Sequence, residues 1–225
     1  MPGTQTLDHD GPDTKPKPLL RGWLHLGMFI LALVAGPLLI AQAPTGGATA
    51  VLTVYVLSII ALFGISAAFH RKNWSPGARR RMRRADHAAF FVAIAGTYTA
   101  VVGLALQGWP MVFILCLVWA GAAAGIVLRQ VWLDAPKWVI AFPAVVVGWS
   151  ALAVVPELLH ALGGVGFALV LIGGVFYTLG ALAYALRWPD PIPHVFGYHE
   201  VFHACTLVGA ALQFVAIAGY ALPRA

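Results

Sequence analysis

Two histidines near the end of the chain, His199 and His203, lie four residues apart and could bind a metal ion together. In an α-helix this spacing puts both imidazole rings on one face, about one turn apart. A tetrahedral metal site can take two of its ligands from a single helix in this way. The spacing therefore predicts a metal-binding face where the last helix begins.

A third histidine and two oxygen-bearing side chains complete the candidate site. His70 ends an apolar run and could supply a nitrogen from a neighbouring helix. Asp86 could bind the metal directly or hold a water beside it, and Ser66, one turn before His70, could hydrogen bond to that water or to Asp86. Three histidines with an open coordination position are typical of a catalytic zinc site, and three imidazoles favour Zn²⁺ over iron or manganese.

The same segment also contains the five-residue pattern HExxH, which spans His199 to His203. In zinc proteases the Glu of this pattern is the general base. Here Glu200 points about 100° around the helix from His199, and no third ligand follows in the single span that remains. A metalloprotease is therefore the weaker interpretation of these residues.

The composition is that of an integral membrane protein. Of the 225 residues, 60% are hydrophobic and only 10% are charged, whereas a soluble domain is about 45–50% apolar and about 25% charged. A chain of this length cannot bury so much apolar surface in one water-soluble core. Both cysteines, Cys116 and Cys205, lie in apolar runs, which excludes a disulfide framework and a CxxC metal site.

Seven apolar runs are long enough to cross a membrane, for which about 20 residues are needed. They lie at residues 22–42, 48–69, 86–106, 110–128, 137–155, 163–186 and 199–222. They predict an all-α membrane protein, a bundle of seven transmembrane helices. Thirteen of the fourteen Lys and Arg residues fall in the N-terminal segment or in alternate loops, and only Arg224 falls on the other side. Because positive charge marks the cytoplasmic side, we expect the N-terminus in the cytoplasm and the C-terminus outside. We expect the protein to be a multi-pass protein of the inner (plasma) membrane.

Residues 1–20 are expected to form a disordered cytoplasmic tail, and residues 21–225 the seven-helix transmembrane domain. The tail (MPGTQTLDHDGPDTKPKP and the next two residues) has four prolines, mixed charge and no apolar periodicity. The basic segment GARRRMRR, in the predicted loop after the second helix, is typical of topology determinants and of contacts with anionic lipid headgroups. No aromatic interleaving accompanies it, so nucleic acid is not expected as a partner.

This topology places the candidate site residues at one depth. His70 closes the second helix at its cytoplasmic end, and Asp86 opens the third from the same side. His199 and His203 open the seventh, again from the cytoplasmic side. Ionisable groups in membrane helices are costly, so four at a shared depth indicate a functional site. The histidines expected only to snorkel or to cap a helix are His25, His87 and His160.

Three segments carry a resemblance to a known family. They are Ser66-Ala67-Ala68-Phe69-His70, Asp86-His87 continuing into Ile94-Ala95-Gly96-Thr97-Tyr98-Thr99, and Pro193-His194-Val195-Phe196-Gly197-Tyr198-His199-Glu200-Val201-Phe202-His203. With these motifs in this order, the sequence resembles the progestin and adipoQ receptor superfamily, and within it the bacterial hemolysin III branch.

The resemblance implies seven helices with a cytoplasmic N-terminus. It also implies a zinc ion near the cytoplasmic side, held by three histidines, with a water linked to an aspartate. By motif, the zinc ligands would be His70, His199 and His203. The water would be held by Asp86, with Ser66 as the supporting hydroxyl.

The leading hypothesis is a zinc-dependent hydrolase of lipid amide or ester bonds with a part in membrane homeostasis. Zinc would polarise a carbonyl and lower the pKa of a nearby water towards about 7, and Asp86 would accept the proton and pass it to the leaving group. A polar centre between apolar walls favours amphiphilic membrane lipids as substrates or ligands. Resemblance to receptor relatives with ceramidase-like behaviour points to the same reaction.

Three other functions use the same features differently. In a non-enzymatic membrane sensor or homeostasis protein, the zinc would be structural and would tie the helices together. A pore-forming cytolysin is disfavoured, because no amphipathic stripe of charge runs through the spans. A transporter is disfavoured as well, because the chain has no internal repeat with paired helix breaks and midplane charges.

Overall fold

The computed structural model describes residues 17–225, apart from the side chain of residue 140. Residues 1–16, most of the predicted disordered tail, lie outside the described residues. The described part of the chain is all-helical and has no β-strand. Its α-helices are α1 (Trp23–Ile40), α2 (Gly46–Arg71), α3 (Pro76–Ala105), α4 (Gly108–Val131), α5 (Lys137–Gly148), α6 (Val155–Leu186) and α7 (Tyr198–Ala216).

Among the described residues, six helical segments are long and apolar enough to cross a membrane. One of them, Lys137–Leu186, combines α5, a short 3₁₀ turn at Ser150–Val154, and α6. With these segments the chain is a multi-pass membrane protein, as its composition predicts.

The backbone of the Lys137–Leu186 segment turns at Gly163, which has a φ of 70°. Trp149 Nε1 donates a hydrogen bond of 2.9 Å to Thr178 Oγ1, and the Lys137 ammonium lies 4.4 Å from the centre of the Tyr184 ring. Residues early in the segment thus contact residues late in it. The two halves of the segment therefore lie side by side.

Tyr98 of α3 satisfies the backbone groups that are left without helical partners where α5 ends. Its hydroxyl donates to the Gly148 carbonyl at 2.7 Å and accepts from the Ala151 N–H at 3.0 Å. Backbone groups at membrane depth need such partners, because lipid offers none. This side chain therefore stabilises the break between α5 and the 3₁₀ turn.

Helix α3 begins ten residues before the predicted start of the third span. The basic segment after Pro76 is helical rather than a loop, and Asp86 lies inside α3 instead of opening it. The prediction was wrong because hydropathy marks where a helix enters the hydrocarbon, not where the helix begins. Pro76 sits in the first turn, which suits proline, and arginine is a good helix former in water.

His70 lies in the last turn of helix α2. The helix begins after Thr45, whose Oγ1 caps it by accepting a hydrogen bond of 3.1 Å from the Ala48 N–H. It ends at Arg71, and the next residue, Lys72, is extended. This end of α2 lies beside the start of α7, because the ring nitrogens of His70 and His199 are 3.2 Å apart.

Helices α2 and α3 cross closely at Ser58 and Gly96. A Cβ atom on Gly96 would lie 2.1 Å from Ser58 Oγ and 2.7 Å from Ser58 Cβ. We expect Gly96→Ala to lower the free energy of unfolding by about 1–3 kcal/mol, because the helices must move apart. Thermal unfolding in detergent would show this as a lower melting temperature.

The matched control for this substitution is Gly174→Ala in α6. A Cβ atom there would meet nothing within 4 Å, so the melting temperature should be unchanged or slightly higher, as alanine favours a helix over glycine. An equal melting temperature for Gly96→Ala and the wild type would contradict the close crossing of α2 and α3.

Candidate metal centre

Three buried histidines from two helices meet at one end of the bundle. His70 comes from the last turn of α2, while His199 and His203 come from the first two turns of α7. One ring nitrogen from each histidine lies within 4.8 Å of the other two. The Nε2 atoms of His70 and His199 are 3.2 Å apart. These three histidines can therefore hold a metal ion.

The spacing of the nitrogens fits a tetrahedral metal. Zinc–nitrogen bonds of about 2.0–2.1 Å at tetrahedral angles put two ligand nitrogens about 3.3 Å apart, close to the observed 3.2 Å between His70 and His199. The donor set is made only of imidazoles, the ligands that suit zinc, copper, iron and nickel. The residues present thus fit a transition metal of the kind that the sequence predicts.

A cavity of about 60 Å³ lies against the three histidines and is also lined by Ser66 and Asp86. Ser66 is buried and Asp86 is half-buried. The cavity has room for more than one water molecule, each of which takes about 30 Å³ in the liquid. The structure thus brings all five predicted site residues around one cavity, while their roles in binding and catalysis stay predictions.

His25 belongs to the same site, contrary to the expectation that it only snorkels or caps a helix. It is 2% exposed and lines the cavity. Its ring stacks on that of His203, with 3.8 Å between centroids and 17° between planes, and meets the edge of Phe63. Neither of its ring nitrogens has a hydrogen-bond partner among the described residues. The missed signal was its position near the start of the first span, at the depth that the sequence predicts for the other three histidines.

His87 and His160 have different surroundings. His87 lines the cavity, and its ring nitrogens lie 3.1 and 3.3 Å from Nη2 of Arg129, a buried guanidinium. The same guanidinium donates to the carbonyls of Trp132 and Leu133. His87 is therefore half-buried and held against Arg129, rather than free to extend to the membrane surface. His160 is exposed and lies away from the cavity.

Glu200, the carboxylate of the HExxH pattern, does not line the cavity. Its Oε2 accepts a hydrogen bond of 2.9 Å from the Gly197 N–H, which caps α7. Its Oε1 accepts from Nε of Arg21 in a buried ion pair. Since both oxygens already accept hydrogen bonds away from the cavity, the geometry disfavours Glu200 as the general base of a protease.

A larger, mostly apolar chamber of about 100 Å³ adjoins the metal cavity. It lies among α2, α3, α5, α6 and α7, and reaches from Phe90 and Thr206 at the metal end to Gln213. Both spaces are lined by Leu62, Phe90, Ala181 and Thr206. A polar centre therefore lies beside an apolar space within the membrane-spanning bundle.

Comparison with known proteins shows which family the sequence of this chain matches. The model of a family described as haemolysin-III related matches residues 14–214, a range that contains every residue of the site. Hemolysin-3 of Bacillus cereus is 29% identical over 199 residues, which cover 87% of this chain and 88% of that protein. A hemolysin-3 homolog of Bacillus subtilis (strain 168) is 33% identical over 135 residues, which cover 60% of this chain and 61% of that protein.

Proposed function

This chain belongs to the haemolysin-III-related family, and on that premise we propose that it is a zinc-dependent membrane hydrolase of lipid amide or ester bonds with a part in membrane homeostasis. One observation carries the proposal. The three histidines that can hold a metal share a cavity with a carboxylate, Asp86, and a hydroxyl, Ser66. A hydrolase needs a metal, a proton acceptor and space for water, and this cavity offers a place for all three.

The chain's own residues have distinct roles in this reaction. His70, His199 and His203 would hold the zinc ion, which would supply a Lewis acid able to polarise a carbonyl and to make water more acidic. Asp86 accepts the proton of the attacking water and then passes it to the leaving nitrogen or oxygen. Ser66 donates a hydrogen bond that orients the water or the Asp86 carboxylate. Apolar side chains such as those of Leu62, Phe69 and Phe90 line much of the same cavity.

The substrate class follows from the position of the cavity in the bundle. The apolar chamber next to the metal cavity suits a hydrocarbon chain, and the polar residues suit the head of the same molecule. A membrane lipid whose amide or ester lies near its headgroup presents both parts at once. We therefore propose membrane lipids as substrates and no role for nucleic acid.

We also propose seven membrane spans with a cytoplasmic N-terminus. A straight helix of the 50 residues in Lys137–Leu186 would be about 75 Å long. The hydrocarbon core of a membrane is about 30 Å thick, so such a helix would be more than twice as long as one crossing needs. The contacts of Trp149 with Thr178, and of Lys137 with Tyr184, support two antiparallel crossings in this segment. The one-sided distribution of Lys and Arg supports the orientation.

A structural zinc in a membrane sensor is the second candidate, and one observation favours it. The ligands come from α2 and α7, so an ion bound there would tie the second helix of the chain to the last. A structural role of this kind needs the same histidines but no proton acceptor.

The hydrolase proposal is tested on the full chain in lipid nanodiscs loaded with zinc. A ceramide serves as the lipid amide and a diacylglycerol as the lipid ester, and mass spectrometry measures the fatty acid released. We expect release by the wild type and none above background by the His199→Ala, His203→Ala variant. Equal release by the two proteins, or none by a wild type that holds zinc, would overturn the hydrolase proposal, and the latter result would favour the sensor.

A further inference from the structure

The start of helix α7, which carries two of the three histidines, is held by a buried carboxylate. Glu200 is 1% exposed and follows His199 directly in the chain. One of its oxygens accepts from the Gly197 N–H and the other from Arg21. A cap on α7 alone needs only the first of these bonds. The second bond connects the histidine-bearing turn to a distant part of the chain.

Arg21 lies in a short segment before α1, residues 19–22, which we call the strap. The backbone N–H groups of Leu19 and Leu20 donate to the carbonyls of His194 and Val195, at 3.0 and 3.1 Å. The strap is therefore fixed along the loop that leads into α7. The guanidinium of Arg21 is itself buried, so its charge is balanced by Glu200 inside the protein.

The other side of the strap packs against the end of α2. Gly22 has a φ of 80°, and a Cβ atom there would lie 2.9 Å from both His70 Cβ and Arg71 Cγ. The Arg71 guanidinium in turn lies 3.5 Å from the centre of the Trp23 ring. Only glycine provides both this backbone conformation and this close approach. The strap thus contacts the His70 end of α2 and, through Arg21, the His199 end of α7.

We propose that Arg21 and Glu200 are positioning residues, whose ion pair holds α7 against the strap so that His70 and His199 keep the spacing that a metal ion requires. The inference rests on the metal site of the proposed function, but not on catalysis. A buried ion pair contributes little net stability, yet it can select one arrangement of the elements it joins. Here the pair joins α7, which carries His199 and His203, to the strap, which packs against the His70 end of α2.

The test is metal binding by the full-length protein in detergent, measured by titration with Co²⁺ and by competition with Zn²⁺. Glu200→Gln keeps an oxygen for the Gly197 N–H but loses the charge that pairs with Arg21. We expect it to lower the metal affinity about 10–100-fold, as the loss of groups that orient ligands does, and to change the visible absorption bands of the bound Co²⁺. Arg21→Lys, which keeps the charge, should lose less affinity than Arg21→Met.

The matched control is Asp134→Asn, which removes the ion pair of 2.9 Å between Asp134 and Arg83 away from the cavity. It should leave both the affinity and the Co²⁺ spectrum unchanged. A general loss of stability would not alter the spectrum of the ion that still binds, so the spectrum separates positioning from folding.

Three outcomes would decide the matter. Wild-type affinity and spectrum in Glu200→Gln would overturn the positioning role and leave the metal site intact. A wild type that binds neither ion would overturn the metal site of the proposed function, and this inference with it. If the single variants do not fold, the double variant Arg21→Met, Glu200→Gln buries no unpaired charge and carries the test. Wild-type affinity in that variant would overturn the proposal.

Discussion

Replacing His199 and His203 together with alanine is expected to remove the single zinc ion that we expect each wild-type chain to carry. Two of the three nitrogens that can reach one ion would be lost. Zinc sites in small proteins are worth about 10–16 kcal/mol, so losing two of three ligands should weaken binding by at least about 10⁴-fold. Metal content per chain, measured by mass spectrometry on detergent-purified protein, checks this expectation.

The control for the metal measurement is a variant that also lacks two histidines. His160 and His194 are both exposed and do not line the cavity, so His160→Ala, His194→Ala should keep the wild-type metal content. Zinc retained by the His199→Ala, His203→Ala variant would place the metal elsewhere. A carefully prepared wild type without any metal would contradict the hydrolase proposal. It would favour a transporter in which the histidines relay protons.

Changing Asp86 to asparagine is expected to keep the zinc and the fold while abolishing hydrolysis. The carboxylate lines the cavity beside the three histidines, where it can accept a proton, and an amide of the same shape cannot. General base catalysis contributes about 10²–10⁴-fold, so turnover of a lipid amide should fall by that factor. Parallel measurements of metal content, melting temperature and fatty-acid release on Asp86→Asn check the prediction.

The result for Asp86→Asn also separates the two candidate functions. In a hydrolase, turnover falls while metal content and melting temperature stay at wild-type values. Equal losses of metal, stability and function would instead show that Asp86 helps to hold the metal site together, and would favour the structural role. Asp134→Asn provides the matched control, because Asp134 is an exposed carboxylate that does not line the cavity.

The sequence predicts that His199 and His203 lie close together, because helix geometry places residues four apart on one face. His199 and His203 share a face of any helix that contains both, and the apolar runs brought His70 to the same side of the membrane. Side chains whose surroundings come from other helices were harder to predict. His25 looks like a lone histidine at a helix start, and only the packing of α1 against α7 stacks its ring on His203.

The bounds of the helices were also predicted well in some places and poorly in others. The apolar runs located α1, α2 and α4, and the start of α7, to within a few residues, because burial in lipid requires an unbroken apolar stretch. The start of α3 at Pro76 lies outside that stretch, where hydropathy says nothing about helix formation. Capping and the helix propensity of the arginines decide the outcome there.

What the sequence by itself determined is the class of the protein and the kind of site it holds. Sixty per cent hydrophobic residues require a membrane, and the motifs around His70, Asp86 and His199 identify the family. Only the tertiary structure decided how the site is held. Arg21 and Glu200 are 179 positions apart, and no local pattern marks such a pair. The reason is that an ion pair of this kind depends on how the strap and α7 pack in space, and packing is a property of the whole folded chain.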